Sequence, residues 1–327
     1  MIVDGGGVVR GGRVPLVRVA YIAAMILKIA RVAALAAVLG LAGCANATPS
    51  TPPGDSADAR RALEGSLGGV RAGNYTFTRT GGGQSEGAVH LPGSSLIAQG
   101  HGPSVLRTGS GFYLRYRIHG DGYASWAKLY QKHAGDADAK QRAELARVRR
   151  VMAVLDGTHW VRADEKRLTA AAAEEDLSGL ERMPPVPTAE KPDVTGATEL
   201  VTAAVTARRD GDTVTGTLDA TKVDAELGVF ANDPYYFYGP RASAMPYRAR
   251  LDAQGRLTEL TVEVPGQLEA PASQPPAGFP SDAPTAPADP PVVITITRYG
   301  ETPEQPVPKG VTDLDPGAYE MLTNDVD

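Results

Sequence analysis

The sequence predicts an α+β fold: one strongly curved antiparallel β-sheet, an incomplete barrel, with helices covering its concave side. Three observations predict it. Apolar and polar residues alternate in short runs through both halves of the chain, the period of a half-buried strand. Turn residues separate these runs, Gly109-Ser110-Gly111, Gly120-Asp121-Gly122 and Asp210-Gly211 among them. Helical patterns fall before and between the strands. A sheet with one apolar face must have that face covered, or must wrap it around something.

The first helix opens at Ser56 or Asp58 and sets Leu63, Leu67 and Val70 at helical spacing before Gly73-Asn74 ends it. Tyr75 to Arg79 then alternates, with Tyr75 and Phe77 on one face. Strands follow over Gly87–Leu91, Ser95–Gln99, Val105–Thr108 and Phe112–His119. In the last, Leu114, Tyr116 and Ile118 face one way and Tyr113, Arg115 and Arg117 the other. Tyr123–Leu129 and His159–Ala163 read as two more strands. Between them lies a helical insertion, 136–155, capped by Asp136 or Asp138 and closed by Gly157, with Leu145, Val148, Met152 and Leu155 as its apolar stripe. Leu168–Leu180 reads as a further helix, stopped by Pro184, Pro185 and Pro187.

The second half is again antiparallel. Thr198–Val201 reads as a short helical turn, after which Val201–Arg208 and Thr213–Asp219 flank the Asp210-Gly211 turn as one hairpin. Tyr247–Leu251 and Leu257–Val264 flank Asp252–Gly255 as another, with Leu260, Val262 and Val264 inward. Between Pro265 and Pro291 there are nine prolines in 27 residues, so this segment reads as a mobile excursion from the sheet. Val292–Tyr299 re-enters it with Ile294 and Ile296 on one face, and a last turn falls at Ala318–Leu322.

The N-terminus carries a different kind of signal. Lys28 and Arg31 precede an apolar run, Val32–Leu41, which ends in Leu41-Ala42-Gly43-Cys44. A basic start, a short apolar stretch and small residues before a cut are the parts of a secretory signal. The run is too short to cross a ~30 Å hydrocarbon core as a helix. Cys44 is the single cysteine in 327 residues. Its place at the cut resembles the bacterial lipobox, in which the thiol is acylated and the cysteine becomes the new N-terminus. The expected organisation is therefore a signal peptide over 1–43, a flexible Ala/Thr/Ser/Pro-rich tether over 44–56 and one domain over 57–322. Counted from Met25 the signal has 19 residues, the ordinary length, so Met25 is the expected start of translation.

Removing residues 1–43 takes away five basic side chains and Asp4, which leaves 28 basic and 37 acidic residues. No basic patch interleaved with aromatics is present, which argues against a nucleic-acid partner. The net negative charge also assigns membrane attachment to the lipid and not to electrostatic adsorption.

Several stretches together resemble a family. They are the lipobox, Tyr75-Thr76-Phe77 after a helix, and Gly157-Thr158-His159-Trp160-Val161-Arg162-Ala163-Asp164. Thr213-Val214-Thr215-Gly216-Thr217-Leu218-Asp219 and the hairpin from Tyr247 to Leu257 complete the set. They look like the actinobacterial envelope lipoproteins of the LppX/LprG type, with the lipoprotein-carrier (LolA-like) half-barrel. The resemblance spans roughly residues 57–300. It implies lipid anchoring on the outer side of the cell membrane and non-catalytic binding, with transfer as its extension, of a lipid or lipidated molecule.

Catalytic patterns are absent from the sequence. The five histidines, His90, His101, His119, His133 and His159, show no metal-ligand spacing. No Gly-x-Ser-x-Gly elbow accompanies His119-Gly120-Asp121. Glu174-Glu175-Asp176 reads as a solvated run, and Gly81-Gly82-Gly83 as a loose loop with no helix start behind it. The expectation is a protein that is not an enzyme and carries no metal or cofactor. The expected cavity lining is Tyr75, Phe77, Tyr116, Ile118, Leu260, Val262, Ile294 and Ile296. Tyr235, Tyr236, Phe237 and Tyr238, between Pro234 and Pro240, form the densest aromatic patch and read as a loop. It serves either as a plug over one end of the sheet or as the rim of the cavity. If the interior is filled by the chain's own side chains, the alternative is an envelope scaffold or interaction protein.

Overall fold

The computed structural model describes residues 57–100, 102–117, 138–172, 183–230, 233–268 and 286–323. The signal, Met25, Cys44 and the tether lie outside these residues, as do Ile118, the strand expected at Tyr123–Leu129 and the centre of the proline-rich excursion.

Twelve strands form one sheet among the described residues. They are β1 (Asn74–Thr80), β2 (Ser85–His90), β3 (Ser94–Gln99), β4 (Ser104–Thr108), β5 (Gly111–Arg115), β6 (Val161–Ala163), β7 (Arg208–Asp210), β8 (Thr213–Leu218), β9 (Met245–Leu251), β10 (Leu257–Val262), β11 (Val292–Thr297) and β12 (Thr312–Asp313). Their spatial order is β12-β6-β5-β4-β3-β2-β1-β11-β10-β9-β8-β7. The first half of the chain thus meanders outward from β1, and the second half meanders inward until β11 pairs with β1. Every pairing is antiparallel except β12 on β6. The sheet does not close into a barrel, since β12 and β7 stand at opposite edges. Both edges are short, and β7 exposes Arg208, Arg209 and Asp210, which discourages pairing with another chain.

Antiparallel partners share a face, so the register shows where the apolar rows run. Val161, Leu114, Val105, Ile97, Gly87, Phe77 and Ile296 are successive partners across seven strands. Ile294, Leu260, Ala249 and Val214 form a second row across β11 to β8. The opposite face is polar over much of its width: Thr76 and Thr78 on β1, Thr295 and Thr297 on β11, Arg248 and Arg250 on β9.

Helices cover the apolar face: α1 (Ala57–Gly65), α2 (Gly68–Arg71), α3 (Ala139–Val154), α4 (Glu165–Ala172), α5 (Ala197–Thr202), α6 (Pro234–Tyr238) and α7 (Pro316–Thr323). Leu63, Leu67, Val70, Val148, Val151 and Leu168 join the inward strand residues in one buried cluster. The first helix breaks at Gly65-Ser66, where the Ser66 carbonyl accepts a hydrogen bond from Leu257 N–H at 3.1 Å, yet its expected stripe stays buried. Helix α3 begins with a capping box: the Asp138 carboxylate accepts from Gln141 N–H while the Gln141 side chain accepts from Asp138 N–H.

Two stretches depart from the sequence expectation. Of the segment expected as a strand over Val201–Arg208, Val201 and Thr202 close helix α5, Ala203 is its turn, and only Arg208 lies in a strand, β7. Asp193 accepts from Thr195 N–H and Thr198 N–H, both at 2.7 Å, and that organises the helix start. The C-terminal segment is also more than a polar tail. Thr302 is tied to Asn74 and His90, Gln305 N–H donates to Ser94 Oγ, and Thr312 pairs with Val161. The chain therefore crosses from β11 to the far edge before α7 seats Ala318 and Tyr319 in the core.

Candidate functional site

The structure brings the described members of the expected cavity lining together. Tyr75, Phe77, Leu260, Val262, Ile294 and Ile296 lie on the helix-covered face, and Tyr116 follows β5 into the same cluster. All seven are at most 7 % exposed. The Phe77 ring fits because β2 offers Gly87 opposite it, and the Tyr75 and Phe77 rings stand 6.1 Å apart, tilted by 53°. Tyr75 O–H donates to Pro192 O at 2.7 Å, and the same oxygen accepts from Val194 N–H at 3.3 Å. Burial, helped by the Asp193 charge, pushes the Tyr75 phenol far above its ordinary value, so it stays neutral. Residues walling an open lipid-sized cavity would be touched by water. These are in contact with protein instead.

The aromatic patch is a short helix and not a loop. Pro234 fits the first turn, where no amide donor is needed, and Asp233 caps it by accepting from Tyr236 N–H at 3.0 Å. Tyr238 is buried and its O–H donates to Asp289 at 3.2 Å; burial, reinforced by that carboxylate, raises its pKa to about 12. Tyr236 is 38 % exposed and meets Phe237 edge-on at 5.1 Å. The Phe237 carbonyl accepts from Leu268 N–H, and Gln267 O accepts from Ala286 N–H, both at 2.8 Å. Helix α6 therefore seats both ends of the proline-rich excursion. The plug role accounts for Tyr238 and Phe237, while Tyr236 still faces water.

Sequence reasoning missed a polar groove. It has a volume of about 680 Å³ and crosses the strand ends where β1, β3 and β5 finish and β2 and β4 begin. Thr78, Glu86, Ala98, Ser104 and Arg115 are successive cross-strand partners along it. Arg117, bridged to Asp156, extends the row, and Arg79 enters from the end of β1. Arg79 is 6 % exposed; its Nε–H donates to Gly83 O at 2.8 Å and Nη1 to Thr195 O at 3.3 Å. Burial pulls its pKa below the usual value, and the charge of Asp193 opposes that. Arg115 donates to Ser104 Oγ and stacks over Trp160, 4.9 Å from the ring centre. The signal for this groove was the polar register of the outer face, which is legible only once the strand pairing is known.

The other residues of chemical interest are taken up in turns. Asp156 accepts from Thr158 N–H at 2.8 Å, His159 N–H at 3.1 Å and His159 Nδ1 at 2.9 Å. These donors, Thr158 first, hold its pKa well below the usual carboxylate range. His90 Nδ1 sits 2.6 Å from Thr302 O. Ser110 Oγ contacts Thr108 and Tyr113 hydroxyls and no base. Gly81-Gly82-Gly83 is a tight loop: a Cβ on Gly81 would lie 2.1 Å from Pro291 O, and one on Gly82 2.1 Å from Val229 O. Among the described residues, no three His, Cys, Asp or Glu side chains gather as metal ligands, and no helix is long and apolar enough to cross a membrane. Glu174-Glu175-Asp176, His101, His119 and His133 lie outside those residues.

No protein-family model and no curated protein matches the chain.

Proposed function

We propose that this is a non-catalytic binding protein of the bacterial envelope, held on the outer face of the cell membrane by acyl chains on Cys44. Its body would be a curved, LolA-like or LppX-like sheet presented on a short tether. The single cysteine at the end of an apolar run supports the anchor. The described fold, a broad antiparallel sheet with helices on its apolar face, supports the sheet-and-helix body.

Two versions of the binding role compete. Burial of Tyr75, Phe77, Tyr116, Leu260, Val262, Ile294 and Ile296 among the chain's own side chains favours a scaffold or interaction protein with a filled interior. That observation carries the conclusion. A lipid carrier draws support from the family resemblance and the continuous apolar rows. It would require helices to move off the sheet, because a drug-sized ligand alone occupies a pocket of roughly 300–1,000 Å³.

The anchor is tested by Cys44→Ala. The variant should leave the membrane fraction and appear in the soluble fraction, whereas the unaltered protein should resist a high-salt wash. An alanine variant that stays bound after that wash would show that something other than the lipid holds the protein.

A further inference from the structure

We infer that the groove across the ends of β1–β5 is a binding site for the phosphate ester of a polyol. The reading is independent of whether the apolar interior opens. Arg79, Arg115 and Arg117 all line the groove, Arg115 and Arg117 from the polar face and Arg79 at its end from the helix-covered face that it shares with Phe77. Most described ion pairs join nearby acidic and basic groups, but none includes any of these three arginines. Each is held by one or two uncharged acceptors: Gly83 O and Thr195 O for Arg79, Ser104 Oγ for Arg115, and Asp156 O at 3.2 Å for Arg117. Each guanidinium therefore keeps donors to spare, and its planar fork matches phosphate oxygens in pairs. The chain as a whole is acidic, with a net charge of −5, so three arginines outside every described ion pair in one groove are not an average of the surface.

The remaining lining selects a hydroxylated ligand. Glu86 faces the same row as Arg115 and has no basic partner among the described ion pairs; it can accept from hydroxyls and would repel a bare, fully charged anion. Asp156, the other carboxylate, is already saturated by Thr158 and His159. Gln84 and Gln99 add donors and acceptors at the strand ends. At the groove's end Ser85, opposite Arg79 and on the same helix-covered face, is more than nine-tenths buried at 8 % exposed, and its Oγ lacks a hydrogen-bond partner. An unsatisfied buried hydroxyl beside a buried cation calls for a polar guest. The polyol phosphate can be free in solution or the headgroup of a lipid, and the two sources are separable.

The test is titration of the full-length protein in detergent with sn-glycerol 3-phosphate and, separately, with dihexanoyl-phosphatidylglycerol. Dihexanoyl-phosphatidylcholine is the control. Tryptophan fluorescence reports engagement of Arg115, which stacks on Trp160. Saturable binding of glycerol phosphate, weakened at least tenfold by Arg115→Gln/Arg117→Gln and by raising salt, supports a soluble ligand. The same losses seen with phosphatidylglycerol alone support a headgroup. If the double variant does not fold, Arg117→Gln, an exposed position, must weaken binding at least threefold. Absence of binding by either probe, or binding unaltered in the variants, overturns the proposal.

Discussion

At the scale of single residues, the interior is set by complementary pairs rather than by hydrophobicity alone. Gly87 is the clearest case. A Cβ there would stand 2.6 Å from the Phe77 ring, 2.7 Å from Ile97 Cδ1 and 2.7 Å from the Leu96 carbonyl oxygen. The first two neighbours are side chains that can shift, but the third is backbone. Gly87→Ala should therefore destabilise the protein by ~1–3 kcal/mol, the range for overpacking a filled core. Urea denaturation measures it, and a stability unchanged or raised would reveal free space beside Phe77. The polar residues obey the same logic, since Asp138, Asp193 and Asp233 each sit where a helix needs an acceptor.

At the scale of elements, strands were more legible than helices. Period-two runs such as Tyr75-Thr76-Phe77 and Leu260-Thr261-Val262 leave little choice of face, and the structure keeps that choice. The helix over Ala197–Thr202 was legible in part, as a short helical turn over Thr198–Val201; Val201 and Val205 favour strands and set the expected strand too early, and Asp193, which accepts from Thr198 N–H, lies outside that run. The aromatic helix was missed because prolines bracket it, although Asp233-Pro234 is also a helix-start signal. The proline-rich excursion divides in two. Its ends are docked through Leu268, Ala286 and Asp289, so replacing only 269–285 with a short Gly/Ser linker should leave the melting temperature within a few degrees. Loop-closure entropy changes by only ~0.6 kcal/mol per halving of length. Replacing all of 265–291 should cost clearly more, because Tyr238 and Phe237 lose their partners. Thermal unfolding of the two variants side by side checks both statements; equal melting temperatures would mean the docked ends contribute nothing.

At the scale of the whole molecule, composition and pattern revealed an antiparallel sheet with helices on one face. They did not reveal which chain ends meet. The pairing of β11 with β1, the strap from Thr302 to Thr312 and the groove between Arg79 and Arg117 are contacts between residues far apart in sequence, with no local signature. The apolar interior was read correctly as to face, while its filling depends on side-chain volumes that periodicity does not carry. The central claim is that the interior is occupied by the protein itself. Native mass spectrometry of the protein extracted from its own membranes, alongside the Arg115→Gln/Arg117→Gln variant, tests it most directly. The expected mass is that of the acylated chain beginning at Cys44, with no lipid retained by the groove variant. One noncovalent lipid held per chain by both proteins alike would contradict it.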